Sequence, residues 1–237
     1  MAKLNRLNSN IMSKNLIGFL ALLLFFPKFA YAQPDLIGYA EFLPDRYTAN
    51  FKKGVQSKLT GTAIIEKQKM AVEMLLSQEA GSVSKYDGKQ WIQVKSSGSA
   101  KLGSESVNVS LIQYYDLKTK LKIYEINVDE EKTTKYEWRS IPKYLRFGDL
   151  VEVGSYKEKD KSGKLVGIGI MSYRLVQQTN GYEFCQIESG KDLESDEHEI
   201  VEDCDQFTQD KKLTGQRVKV KISKDSEIEA SGKSILR

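Results

Sequence analysis

Glu66 to Gly81 reads EKQKMAVEMLLSQEAG, and its fold decides the class of the whole chain. Its Glu, Lys, Gln, Met and Ala residues are good helix formers, and Gly81 stands where a helix C-cap would. Yet Met70, Val72, Met74 and Leu76 alternate against Ala71 and Glu73, the two-residue period of a half-buried strand. GTAII (61–65) precedes the stretch and strand-like runs follow it, so a hairpin turning at Lys67-Gln68 fits its surroundings. A short helix near 66–80 stays open as the alternative.

Outward from there the texture is that of strands. Towards the C-terminus come Val83–Tyr86 and Gln90–Lys95, joined by Asp87-Gly88, a dipeptide suited to tight hairpins. Ser96–Glu105 is rich in Ser and Gly and reads as a loop. Val107, Val109 and Leu111 then alternate with Asn108 and Ser110. Leu121–Val128 and Thr133–Arg139 flank an acidic turn, Asp129-Glu130-Glu131. Leu150–Tyr156 and the apolar Leu165–Leu175 flank the charged loop KEKDKSGK (157–164). The cleanest alternation is Arg217–Ile222, with Val218, Val220 and Ile222 on one face and Arg217, Lys219 and Lys221 on the other. It predicts an outer strand with a solvated basic face, where lysines discourage edge pairing. Residues 227–237 read as a polar tail or a short last strand. Towards the N-terminus, Leu36–Leu43, Tyr47–Phe51 and Leu59–Glu66 complete the set. The expected class is all-β, an antiparallel meander forming an open barrel or sandwich.

Residues 1–32 differ in kind. Lys3, Arg6 and Lys14 precede an apolar run, Leu16–Phe26, and Ala30-Tyr31-Ala32 follows. A basic start, a short apolar middle and a small-x-small end describe a secretory signal peptide cleaved after Ala32. The run is shorter than the roughly 20 residues of a spanning helix. The chain then divides into 1–32, an N-terminal β region (33–140) and a C-terminal β region (141–237). The two β regions meet at Ile141-Pro142 and are expected to form one continuous domain.

The 237 residues carry 36 Lys and Arg against 32 Asp and Glu. Lys3, Arg6, Lys14 and Lys28 supply the whole excess, so the chain from Gln33 onward is formally neutral and no nucleic-acid partner is indicated. Cys185 and Cys204 are the only cysteines, and export to an oxidising compartment makes them a disulfide pair.

Chemistry-bearing patterns are sparse. Glu183–Asp205 holds 10 acidic residues, with Lys191 the only Lys or Arg, and reads as a solvated loop tethered by the disulfide. Asp192, Glu194 and Asp196 faintly resemble a calcium loop, but Glu197 stands where the sharp turn wants Gly. His198 is the sole histidine, which excludes paired-histidine metal hydrolysis, and its acidic surroundings suggest no nucleophile system. No phosphate-cradling loop or dinucleotide fingerprint is present, so no catalytic residue, metal or cofactor is assigned. A pair of carboxylates for hydrolysis stays open, since two acids from different strands could face one cleft. Gly167 and Gly169 fall on one face of a strand. They read either as the floor of a ligand site with Ile168, Ile170 and Tyr173, or as the bed of an aromatic side chain.

Pro142-x-x-Leu145-x-x-Gly148-Asp149, then Gly154, Tyr156 and Ser172-Tyr173, then a Cys-bearing acidic segment, make up a pattern over residues 142–222. It resembles a segment of uncharacterised exported bacterial β-rich proteins. The resemblance implies a bacterial envelope location, periplasmic or secreted, and carries over no functional residue. The expected function is non-catalytic binding of an apolar ligand or a protein partner. The alternatives are an envelope-associated interaction protein and a carboxylate-based hydrolase.

Overall fold

A computed structural model describes residues 37–38, 54–65, 67–139, 141–142, 144–209, 213–223 and 225–236. The expected signal peptide, its expected cleavage site and the strand expected at Tyr47–Phe51 lie outside the described residues, as does all but 37–38 of the one expected at Leu36–Leu43.

The described chain is all strand and turn: β1 (Ile37–Gly38), β2 (Val55–Ile65), β3 (Gln68–Gln78), β4 (Ser82–Tyr86), β5 (Lys89–Leu102), β6 (Glu105–Tyr115), β7 (Lys122–Asn127), β8 (Lys132–Trp138), β9 (Tyr144–Leu145), β10 (Leu150–Lys159), β11 (Leu165–Gln178), β12 (Gly181–Asp192), β13 (His198–Thr208), β14 (Leu213–Ser223) and β15 (Ser226–Leu236). Each long strand pairs antiparallel with its neighbour in sequence, and the sheet runs unbroken from β8 to β10 past Ile141-Pro142. β15 returns to β2, and β3 pairs with the second half of β5. The result is a closed barrel of 12 strands. β4 prolongs the sheet beside the first half of β5, and β1 and β9 form a separate two-stranded pair.

Closure corrects the expected open barrel or sandwich, and no helix occurs among the described residues. The hairpin reading of 66–80 holds. Ile65 faces Gln68, Lys67 turns with φ 69°, and Val72, Met74 and Leu76 are buried in the barrel. Ser96–Leu102, expected as a loop, is the seam. Its small inward residues Ser96, Gly98 and Ala100 let β3 approach, with Gly98 opposite Leu76. The presumed outer strand 217–222 lies mid-sheet, paired with β13 and β15. The presumed tail is β15, which closes the ring. The acidic stretch 183–205 is no loop. It forms most of β12 and β13, which pair over their whole length and leave only 193–197 as a turn.

Inside, one aliphatic cluster (Leu59, Val72, Met74, Val109, Val218, Val220, Ile228) fills the side made by β2, β3, β5, β6 and β13–β15. An aromatic cluster (Tyr115, Tyr136, Tyr173, Tyr182, Phe184, Phe207) closes the end that carries turns 116–121 and 179–180. Outside, Lys58, Glu73, Lys95, Lys135, Lys157 and Lys219 stand along the strands. A charge at mid-depth on a lipid-facing strand costs about 2–4 kcal/mol, so this outer face is built for water.

Candidate functional site

The far end of the barrel, with turns 128–131, 160–164 and 193–197, is not filled. A cavity of about 500 Å³ opens there between β7, β8 and the β10–β14 wall. Its floor is Tyr136 and Tyr156, and its walls carry Glu125, Glu158, Glu188 and Glu199. These carboxylates face inward because strand periodicity leaves them no choice. On β12, Tyr182, Phe184, Gln186 and Glu188 share a face, and on β13 Glu199, Val201, Asp203, Asp205 and Phe207 do so. Burying Tyr182, Phe184 and Phe207 therefore carries the acids in with them.

Gly167 lines this cavity, Gly169 lies beneath the Tyr156 ring, and Tyr173 is buried deeper in the aromatic cluster. A Cβ on Gly169 would collide with the Tyr156 ring, and one on Gly190 with the Tyr156 hydroxyl. Tyr156 thus lies across two glycines on adjacent strands, and their missing side chains set the depth of the floor. Ile168 joins Gly167 at the cavity wall and is 39% exposed, whereas Ile170, 45% exposed, stands on the outer face.

The cavity holds few cations for its acids. Lys132 Nζ lies 2.9 Å from Glu130 and 3.1 Å from Glu158. Burial works against its charge, but the two carboxylates outweigh that and hold the ammonium above its usual range. Lys122 Nζ, itself buried, lies 3.2 Å from Glu125 and donates to the Tyr136 hydroxyl at 2.7 Å. Burial pushes Lys122 down, against the pull of Glu125 and Glu188. Glu188 accepts a hydrogen bond from Gln186 Nε2 at 2.7 Å, and burial pushes its carboxyl up. Glu199 accepts no hydrogen bond among the described residues. It is half-buried as a residue, but its Oε1 is shut off from solvent. Burial, seconded by repulsion from Glu158, Glu130, Glu188 and Glu197, pushes it up to about 8. Glu188 pairs with Val201 and Gly190 with Glu199, so the two acids are diagonal neighbours, a spacing of about 7–8 Å.

The reverse face of the same two strands is arranged differently. Cys185 and Cys204 sit directly opposite each other, Cα–Cα 4.0 Å, joined as a disulfide, as the sequence led us to expect. This bond is consistent with an oxidising, exported compartment. Arg217 covers it, with Nη2 3.2 Å from Cys204 Sγ and a forked pair of hydrogen bonds to Glu183 at 3.0 and 3.2 Å. Glu202 joins Arg174 at 2.9 Å. Glu183, Cys185 and Cys204 are the one grouping of metal-ligating atoms drawn close together among the described residues. Both sulfurs are bonded to each other, whereas a metal needs thiolates. His198 opens β13 and is exposed at the rim of the cavity. Asp192 caps its turn by accepting from the backbone N–H groups of Glu194 and Ser195.

Comparison with protein-family models, with curated proteins and with solved structures finds no match, so function has to be argued from these side chains alone.

Proposed function

We propose that this chain is an exported, non-catalytic binding protein, freed of its signal peptide after Ala32, which holds a small molecule in the open end of its barrel. The cavity carries this reading. A volume of about 500 Å³ lies within the range of small-molecule sites, roughly 300–1,000 Å³, in a barrel whose other regions are packed with side chains. The lining departs from the expectation of an apolar ligand. Carboxylates, Asn127 and two tyrosines ask for a polar one.

The hydrolase reading would use Glu188 and Glu199, diagonal neighbours on adjacent strands, as a carboxyl pair of the kind that flanks a scissile bond. It lacks the division of roles. Acid–base pairs work when their environments push two pKa values apart, and here Glu158, Glu188 and Glu199 are all pushed up. The surface-acting reading draws on Ile170 and Ile200, exposed together on the outer face of β11–β13.

Native mass spectrometry of the protein recovered from the exported fraction tests the proposal. The expected spectrum shows a bound species of small-molecule mass. Ile222→Trp, which fills the cavity from β14, should remove it. A bare protein that co-purifies with a stoichiometric protein partner would replace this reading with the surface-acting one.

A further inference from the structure

Deeper in the barrel Asp203 accepts from the Gln216 amide at 2.8 Å, but around the cavity floor and walls the carboxylates are incompletely matched to cations. Glu130 and Glu158 share Lys132, and Glu125 has Lys122. Glu188 has the Gln186 amide, and the buried Oε1 of Glu199 has no hydrogen-bond partner among the described residues. Five of the eight carboxyl groups lining the cavity thus meet two ammonium groups, and the other three, Asp192, Glu194 and Glu197, stand at the mouth with Lys191. A buried carboxylate without a partner is costly, so Glu199 must either keep a proton or meet a cation from outside.

The wall already shows how it receives an ammonium. Lys122 Nζ lies 3.9 Å from the centre of the Tyr136 ring while bonded to the Tyr136 hydroxyl and the Glu125 carboxylate. Tyr156, the second ring of the floor, offers a like surface for a cation. At the mouth, Asp192, Glu194 and Glu197 add negative charge, which draws cations in and turns anions away. A bare metal ion fits poorly, because among the described residues no three cavity carboxylates converge closely enough to grip one.

The geometry points to a small organic cation, one or two ammonium groups on a short carbon chain, as the ligand of this cavity, with Glu199 as its counter-ion. This inference rests on the reading of the cavity as a ligand site. The ammonium supplies the donor that the Glu199 carboxyl lacks, the chain lies over Tyr156, and the uncompensated charge inside the barrel falls.

Calorimetric titration of the protein starting at Gln33, disulfide intact, tests it with three probes: butane-1,4-diamine, the uncharged butane-1,4-diol of the same length, and calcium chloride. The diamine should bind and the diol should not. Glu199→Gln should weaken the diamine by roughly tenfold to a hundredfold, the scale of one charge-assisted hydrogen bond. Glu137→Gln, on the outer face of β8, should leave it unchanged. Glu199→Gln removes an unpaired buried charge, so it should fold at least as well as the parent, and its melting curve checks that. Equal binding of diol and diamine, or a diamine affinity indifferent to Glu199→Gln, overturns the cation while leaving the site. So does calcium binding tighter than the diamine. If no probe binds but the native spectrum shows an anionic or neutral occupant, the ligand class is wrong. If that spectrum is bare as well, the site itself is wrong.

Discussion

The two faces of the β12–β13 hairpin carry the same kind of residue and treat it in opposite ways. Outside, Glu183 is buried beneath the Arg217 fork, Glu202 is held by Arg174, and the disulfide is sealed between them. Inside, Asp203 and Glu188 each accept from an amide, and the buried Oε1 of Glu199 has no hydrogen-bond partner among the described residues, beside open space. A folded chain under no other demand would pair its buried acids as the outer face does, because an unpaired one costs stability. Strain that persists on one face of an otherwise satisfied strand pair is the mark of a site. The outer face holds the hairpin together, and the inner face is the one we propose as a ligand site.

The largest test of this contrast removes the outer pairing. Burial works against the Glu183 carboxylate, yet Arg217 and the Gln206 amide outweigh it and hold it below its usual range. Arg217→Met should lower the unfolding free energy by about 3 kcal/mol in urea titrations. Because Glu183 is lowered in the folded state, this contribution is present above the unfolded carboxyl's pKa and fades as the pH falls through the folded one. The loss should therefore be full at pH 7 and smaller at pH 3. An unchanged urea midpoint at pH 7 would erase the distinction between the faces.

Reducing the disulfide should cost about as much or slightly less, about 3 kcal/mol for a loop of this length in the chain-entropy model. Cys185 and Cys204 have no exposed surface, and Arg217 lies over them. Dithiothreitol should thus act on the parent only as fast as the protein opens, and faster on Arg217→Met. Thiol counting against time under native conditions checks both rates.

The smallest of the three changes runs in the opposite direction. Glu199 is faced by Glu188 on β12, Glu158 on β10, Glu130 and Glu197 from the turns, Lys132 from β8 and the apolar Ile222 from β14, with Lys122 deeper in the barrel and His198 beside it at the rim. Its folded pKa is raised to about 8, so between the unfolded value and 8 the folded state holds the extra proton. Stability from this group is full below the unfolded pKa and is lost as the pH climbs through 8. The full shift would be worth about 5 kcal/mol, but solvent in the open cavity screens much of it, so Glu199→Gln should gain about 2 kcal/mol at pH 8 and under about 1 kcal/mol at pH 5. A variant less stable than the parent at pH 8 would mean that Glu199 is paired after all.

Local patterns made much of the barrel legible. Met70 to Leu76 and Val218 to Ile222 announce one buried face each, Asp87-Gly88 turns with φ 49° and 74° as such a hairpin must, and the two cysteines declare their bond by compartment. Closure was hidden because the seam is made by what looks like a loop. Ser96, Gly98 and Ala100 are small so that β3 can reach β5, and small residues also mark turns. The acidic hairpin was hidden because its partners are remote: Arg217 comes from β14 and Lys122 from β7. Composition over 183–205 says solvated loop, yet the period-two run Tyr182, Phe184, Gln186, Glu188 held the correction, with aromatic residues anchoring one face. The emptiness beside Glu199 had no signal in the sequence at all, since it depends on which strands meet across the barrel.

The central claim is that Glu199 stands uncompensated in a space meant for a cation. Carbon-13 NMR of its side-chain carboxyl, assigned by comparison with Glu199→Gln and followed from pH 3 to 10, reads that state directly. A midpoint near 8 in the free protein, moved well down by saturating butane-1,4-diamine, is the predicted result. A midpoint in the ordinary glutamate range, about 4.3, with and without the diamine, would contradict it.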